Sequence, residues 1–324
     1  MVFAYIGSIL TTICAVVGAI VLTTYLLPIL IYSRFDEQDL RQKYGAKWAI
    51  VTGGSSGIGA AIVRKLAAQR INVVVVALDD SILKTSMGQF RAEFPGIQFR
   101  EVGCDLSEEV GTGQDPEYIK RIKEKTNDID VQLIFNNAGF IKPGLFAFNS
   151  LPSILANYNT NATSATRITH HFSKLLIDKK LPGLITFTSS SAYWVPTVLS
   201  AVYGCTKSYL AQLGAVLAAE LRPFGVDVVV LHPSPTNSNF YQNVKDVAVL
   251  SGAKAISLHP SYPASALFRA AGRVIIVDQG SVNWAFKLAC RLIDWNVLVE
   301  ILAAASKFTG DFSKEMKRIG AKAR

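Results

Sequence analysis

"TGGSSGIG", Thr52 to Gly59, stands between a short β-branched run, "WAIVT" (48–52), and a helix-forming run, "AAIVRKLAAQR" (60–70). Glycine has a physical use at a strand-to-helix turn. Without a Cβ the backbone can approach a pyrophosphate closely, and the helix N-terminus offers free N–H groups and a partial positive charge. The order T-G-x-x-x-G-x-G in this setting points to a dinucleotide-binding turn carried by Gly53, Ser55, Ser56, Gly57, Ile58 and Gly59. Taken as a bare string, a glycine turn that merely opens a helix reads equally well.

Downstream the same alternation continues. "NVVVVA" (72–77), "QFREVGCD" (98–105), "QLIFNN" (132–137), "LITFTS" (184–189) and "DVVVLH" (227–232) are separated by helix-length segments, and "GRVIIVDQG" (272–280) adds a seventh strand. Continuous apolar strands between helices predict a parallel sheet covered on both faces. The expected fold is α/β, a Rossmann-type doubly wound sheet of about seven strands, with no internal repeat.

Upstream lies a different solvent problem. Residues 1–33 carry no charged side chain, and "ILTTICAVVGAIVLTTYLLPILIY" (9–32) exceeds the about 20 residues that cross a bilayer. A cleaved signal peptide is the rival, but the apolar stretch is too long, no basic segment precedes it and no A-x-A site follows. A retained single-pass anchor is expected. Arg34, Arg41, Lys43 and Lys47 lie on its C-terminal side with no Lys or Arg before it, so the body is expected in the cytoplasm. The predicted organisation is an anchor at 1–33, a polar juxtamembrane linker at 34–46, a dinucleotide-binding catalytic domain at 47–280 and a C-terminal extension at 281–324.

In that extension Asn283, Lys287, Arg291 and Asp294 recur at helical spacing among apolar residues, giving an amphipathic helix too charged to span a membrane. It packs on the domain or lies on the membrane surface, where the basic tail from Lys314 to Arg324 would favour anionic lipid. Half of the 324 residues are hydrophobic, which excludes a disordered chain. The net charge of +9 is scattered among acidic residues, so nucleic acid is not an expected partner. Four dispersed cysteines, without a CxxC, suit a reducing compartment and no metal framework.

Several strand ends carry further candidates. In "VVVVALDD" Asp79 would bind a ribose 2′-hydroxyl, although a solvated turn explains Asp79 and Asp80 as well. "GCDLS" places Asp105 and Leu106 near an adenine. "NNAG" sets Asn137, Ala138 and Gly139 beside the cofactor crevice. Finally, "YGCTK" puts Tyr203 one helical turn from Lys207.

With TGGSSGIG, NNAG and YGCTK in this order, the chain resembles the short-chain dehydrogenase/reductase family from about Lys47 to Gly280. The resemblance implies that Tyr203 and Lys207 act with a serine of the preceding strand end and an asparagine of the helix after NNAG. By position these are Ser190, with Ser189 and Ser191 as fallbacks, and Asn161, with Asn159 the weaker choice. Pro233 and Thr236 of "HPSPTNSNF" would approach the nicotinamide. The family's usual Pro-Gly is Pro-Ser here, and Ser234 narrows the backbone freedom of that loop.

Chemistry supports these residue types. Carbonyl reduction needs hydride on carbon and a proton on oxygen. A free tyrosine, with a pKa of about 10, is too weak an acid, and a lysine ammonium one turn away favours its phenolate. Ser190 would hydrogen-bond the carbonyl, Lys207 would also hold ribose hydroxyls, and Asn161 would anchor a relay water. Asn161-Ala-Thr is also a glycosylation sequon, which a buried Asn161 would leave unmodified.

An anchor ahead of this fold resembles membrane-bound members that reduce long-chain 3-oxoacyl thioesters, 3-ketosphinganine or steroids. The resemblance therefore implies a lipophilic ketone substrate, NADP(H) or NAD(H) with NADPH slightly favoured, a homodimer through the helices after Asn161 and Tyr203, and, in a eukaryote, the endoplasmic reticulum. A catalytically silent dinucleotide-binding scaffold or redox sensor on the same fold is the alternative.

Overall fold

The computed structural model describes residues 2–111, 113–241 and 257–320. Most of the loop 237–260 and the last residues of the basic tail lie outside these. The chain divides into two units, Met1–Glu37 and Gln38–Arg324.

The first unit is helix α1, Val2–Ser33, followed by a short polar stretch. Tyr5–Ser33 is long and apolar enough to cross a membrane, and none of its most apolar window is buried by protein.

The second unit is a seven-stranded parallel sheet between helices, with β1 (Trp48–Thr52), β2 (Asn72–Ala77), β3 (Phe99–Gly103), β4 (Val131–Asn136), β5 (Gly183–Thr188), β6 (Val226–His232) and β7 (Ile276–Asp278). The strand order is β3-β2-β1-β4-β5-β6-β7. Every residue of β1, β4 and β5 is buried, as expected of strands covered on both faces. The order in which strands are added reverses between β1 and β4, which opens a crevice at their carboxyl ends. Register carries the neighbouring strand ends to the same level, with Val51 opposite Phe135, Thr188 opposite Leu231 and His232 opposite Asp278.

The covering helices are α2 (Leu40–Tyr44), α3 (Gly57–Ala68), α4 (Ser81–Glu93), α5 (Glu117–Thr126), α6 (Leu151–Tyr158), α7 (Ser164–Asp178), α8 (Ala201–Leu221) and α9 (Ser261–Ala270). A π turn, Asn159–Thr163, joins α6 to α7. On α8, Tyr203, Lys207, Leu210, Gly214, Ala218 and Leu221 are buried, three or four residues apart, so one stripe of the helix both packs on the sheet and carries the Tyr-Lys pair.

Two boundaries differ from expectation. The linker at 34–46 ends at Glu37, because Gln38–Ala46 is folded onto the body. Leu40 and Tyr44, four apart, are both buried; Leu40 N–H donates to Gln69 Oε1, and the Tyr44 hydroxyl donates to Asp227 at 2.7 Å. The expected single amphipathic helix at the C-terminus is three helices, α10 (Ser281–Leu292), α11 (Trp295–Ser306) and α12 (Gly310–Arg318), within the same unit as the sheet. Asn283, Leu298 and Asp311 are buried, one in each helix.

Candidate active site

One cleft of about 970 Å³ opens along the carboxyl ends of the strands, from Gly53 to Asp311. Gly53, Ser55, Ser56, Gly57 and Ile58 line its first end. The glycines are dictated by space: a Cβ on Gly59 would lie 2.1 Å from the Gly53 carbonyl oxygen, and Gly53 itself has φ +62°. Ser56, the residue preceding α3, makes no side-chain cap, so the first N–H groups of α3 remain available at the cleft. This is a cradle shaped for a phosphate group.

The segment after β4 is tied to the cradle. Thr52 Oγ1 accepts hydrogen bonds from the N–H groups of Asn137 and Ala138, each at 3.0 Å. Asn137 Nδ2 donates to the Thr52 carbonyl at 3.1 Å, and its Oδ1 accepts from Thr188 Oγ1 at 3.2 Å. These strand-end threonines did not stand out in the sequence. Two threonines closing the buried strands on either side of β4 were the available signal.

Tyr203 and Ser190 line the same cleft with Lys207, beyond Gly139. Tyr203 is 9% exposed, and Lys207 Nζ lies 5.6 Å from its ring centroid. Lys207 is buried and donates to the Thr188 carbonyl at 2.8 Å. Burial alone pushes its pKa down to about 8. The three candidate serines separate clearly. Ser189 is buried and spends its hydroxyl on the Lys207 carbonyl at 2.7 Å, whereas Ser190 Oγ accepts from Ala192 N–H at 3.1 Å and keeps its own proton to donate. Ser191 lines the cleft too, opening the short 3₁₀ turn Ser191–Trp194.

Asn161 lies in the π turn, fully buried, leaving no room for a glycan. Its Oδ1 accepts from Phe140 N–H at 3.0 Å, and its Nδ2 donates to the Phe140 carbonyl and to Thr206 Oγ1. A Cβ on Gly139 would meet Asn161 Oδ1 at 3.1 Å and Lys207 Nζ at 3.3 Å, so glycine is what lets the strand-end loop pass between them. Asn159 is turned elsewhere, donating to the Ser107 carbonyl.

Asp105 and Leu106 line the cleft, with Asp105 Oδ1 accepting from Ser107 N–H. Pro233 and Thr236 line it as well; the Thr236 hydroxyl donates to the Ser234 carbonyl. Ser234 is accommodated without a left-handed backbone, its hydroxyl donating to the Gln279 carbonyl at 2.6 Å. Asp79 is the exception. It faces a separate polar cavity of about 330 Å³ with Lys84, Glu101 and Arg121, and packs against Gly103, while Leu78 and Asp80 line the cleft in its place. Asp80 also caps α4, accepting from Leu83 N–H at 2.9 Å.

Past Tyr203 the walls become apolar. Ile141, Val195, Val198 and Phe240 line the cleft there, together with Phe286 of α10 and Leu302 of α11. All three C-terminal helices thus contribute to the cleft, α12 through Asp311, a role their sequence pattern did not signal.

Known proteins are similar to this chain in sequence and in fold. A "very-long-chain 3-oxoacyl-CoA reductase-like protein" of Arabidopsis thaliana is 27% identical over 78% of this chain and 77% of its own length. A "very-long-chain 3-oxoacyl-CoA reductase" of Podospora anserina is 30% identical over 58% of this chain, a match covering 54% of that relative. Among solved structures, a 7β-hydroxysteroid dehydrogenase superposes with a TM-score of 0.66 at 22% identity, over 78% of this chain and 93% of its own. A Sphingobium yanoikuyae short-chain dehydrogenase, solved with NADPH, gives 0.63 at 21% identity, over 76% and 93%. The short chain dehydrogenase family matches residues 47–248, from the first strand through the glycine cradle, the β4 loop and the Tyr-Lys helix. With that match covering most of the folded body, the chain belongs to the short-chain dehydrogenase family.

Proposed function

We propose that the protein is a membrane-associated NAD(P)(H)-dependent oxidoreductase that interconverts a lipophilic ketone and its secondary alcohol. The carrying observation is that the glycine cradle, Ser190, Tyr203 and Lys207 share one cleft whose far wall is apolar. Relatives named for very-long-chain 3-oxoacyl-CoA reduction support a long-chain 3-oxoacyl thioester as the substrate to test first.

The residues fit a nicotinamide dinucleotide. The bare N–H groups of α3 and the space that Gly53 and Gly59 leave would hold its pyrophosphate, Asp80 and Leu78 would border the adenosine ribose, and Lys207 would donate to the nicotinamide ribose. The bound cofactor would supply the hydride. Ser190 would donate its free O–H to the carbonyl oxygen, polarising it and fixing its position. Tyr203 would give that oxygen its proton, helped by the ammonium of Lys207, whose charge favours the phenolate left behind. Asn161 would hold the Phe140 loop against α8; its Oδ1 retains a lone pair for a relay water.

Membrane association rests on α1 and on the chain's continuity with the body five residues beyond it, and the basic residues that follow α1 favour a cytoplasmic body. An apolar substrate dissolves in the bilayer, so an anchored enzyme samples it at high local concentration.

The test uses the full chain in lipid nanodiscs with NADH or NADPH and a panel: a long-chain 3-oxoacyl-CoA, 3-ketosphinganine, a ketosteroid and a short soluble ketone. Turnover of at least one long or polycyclic ketone is expected, with Tyr203→Phe binding cofactor normally but losing at least about a hundredfold in kcat. If wild type and variant both bind cofactor and neither turns over, the reading fails.

A further inference from the structure

We propose that His232 is a positioning residue for Ser190: its ring is the platform on which the Ser191–Trp194 turn rests, and through that turn it sets the direction of the Ser190 hydroxyl. The proposal rests on the active-site reading above.

His232 is the last residue of β6, with no side-chain exposure. Its Nδ1 lies 2.7 Å from Asp278 Oδ1, across the β6–β7 register. Asp278 is ionised: burial pushes its carboxyl up, but the hydrogen bonds and charges of His232 and Lys287 outweigh this and hold it below the usual carboxylate range. An ionised carboxylate only accepts, so Nδ1 carries the hydrogen and donates. The imidazole plane is therefore fixed. On that plane lies Tyr193, its ring stacked at 5.2 Å and 21°, while Trp194 meets it edge-on at 5.6 Å.

The contacts close on themselves. Asp278 Oδ2 accepts from Lys287 of α10 at 2.6 Å, and Lys287 lies over the Trp194 ring at 4.9 Å, beside Arg291 at 5.0 Å. Histidine, carboxylate, lysine and tryptophan thus form a circuit around the turn. The turn in turn holds the serine. Tyr193 N–H donates to the Ser190 carbonyl at 3.1 Å, and Ala192 N–H donates to Ser190 Oγ at the same distance. A shift of the turn moves the Ala192 N–H bond that orients the Ser190 hydroxyl.

Packing alone does not account for an imidazole here. Among the described residues His232 Nε2 is buried without a hydrogen-bond partner, as is Trp194 Nε1, and each such group costs stability that a phenyl ring would not. What the histidine has over a phenyl is the Nδ1–H bond to Asp278, which fixes the angle of the ring. A small error in the position of a polarising group is expensive in rate.

The experiment compares kcat on the accepted ketone, cofactor affinity and melting temperature for His232→Ala in two backgrounds, wild type and Ser190→Ala. His232→Ala is expected to lower kcat roughly ten- to a hundredfold, with cofactor affinity within about twofold. In the Ser190→Ala background the same change should alter kcat by less than about twofold. Asp278→Asn, which keeps an acceptor for Nδ1–H, should retain more kcat than Asp278→Ala. An equal fold-loss in both backgrounds, or a folded His232→Ala with normal kcat, would overturn the proposal. Undiminished turnover in Ser190→Ala alone would sink the active-site reading and this proposal with it. If His232→Ala does not fold, His232→Phe and Tyr193→Leu are measured in the same two backgrounds, with the same outcomes decisive.

Discussion

Lys207 holds a buried ammonium, and its depressed pKa gives the stability of the apo protein a particular pH dependence. Folded, the group titrates at about 8; unfolded, at about 10.4. Below pH 8 both states are protonated and the folded state bears the full desolvation cost, on the order of 3 kcal/mol. Between those values the unfolded chain binds more protons, so the cost fades and stability rises with pH. Melting curves of the apo protein at pH 7.5 to 10 should show this gain relative to Lys207→Met, which lacks the titrating group; parallel curves would refute it. At the other end of the cleft, Leu78 is 57% exposed, and Lys207 is the only cation among the described residues that line the cleft. A guanidinium at position 78 would meet a 2′-phosphate, so Leu78→Arg should shift the ratio of NADPH to NADH affinity upward by about tenfold in a titration of both cofactors.

The strand-turn-helix from Trp48 to Ala68 shows how tightly local sequence is bound to the site. With 2.1 Å between a Cβ on Gly59 and the Gly53 carbonyl, Gly59→Ala must push the turn open, costing about 1 to 3 kcal/mol in denaturant unfolding and most of the cofactor affinity in the same titration. The strands could be read from sequence because buried parallel strands are unbroken apolar runs, and the Tyr-Lys pair because it is a spacing within one helix. Other elements had no such sign. The strand-end position of Asp79 points to the cofactor site, but successive side chains past β2 turn to opposite sides, so Leu78 and Asp80 border the cleft while Asp79 points to Gly103. The π turn at Asn159–Thr163 differs from an α-helix by one backbone hydrogen-bond step, for which these side chains carry no pattern. Position ahead of Tyr203 singles out Ser190, but that Ser189 spends its hydroxyl on the Lys207 carbonyl shows only in the fold.

Helix α11 connects the cleft to whatever lies outside the protein. Leu298 is buried and Leu302 lines the cleft, whereas Val297, Ile301 and Ala304, at spacings of four and three, face outward, with Phe308 continuing the stripe. A helix apolar on both sides normally has both sides covered, and this one is covered by protein on one. The neighbouring Arg291, Lys307, Lys314, Lys317 and Arg318 are exposed, and we propose that this face rests on anionic lipid. Such a seat would put the apolar wall of the cleft beside dissolved substrate. Ile301 is 50% exposed, so Ile301→Glu should change stability by no more than about 0.5 kcal/mol. With the full chain in phosphatidylserine-containing vesicles, the variant should turn over a bilayer-dissolved long-chain ketone several-fold more slowly than wild type, while its rate on a short soluble ketone stays the same. Equal loss on both substrates would place the effect in the fold or in a subunit contact, and equal retention on both would show that this face does not meet the membrane.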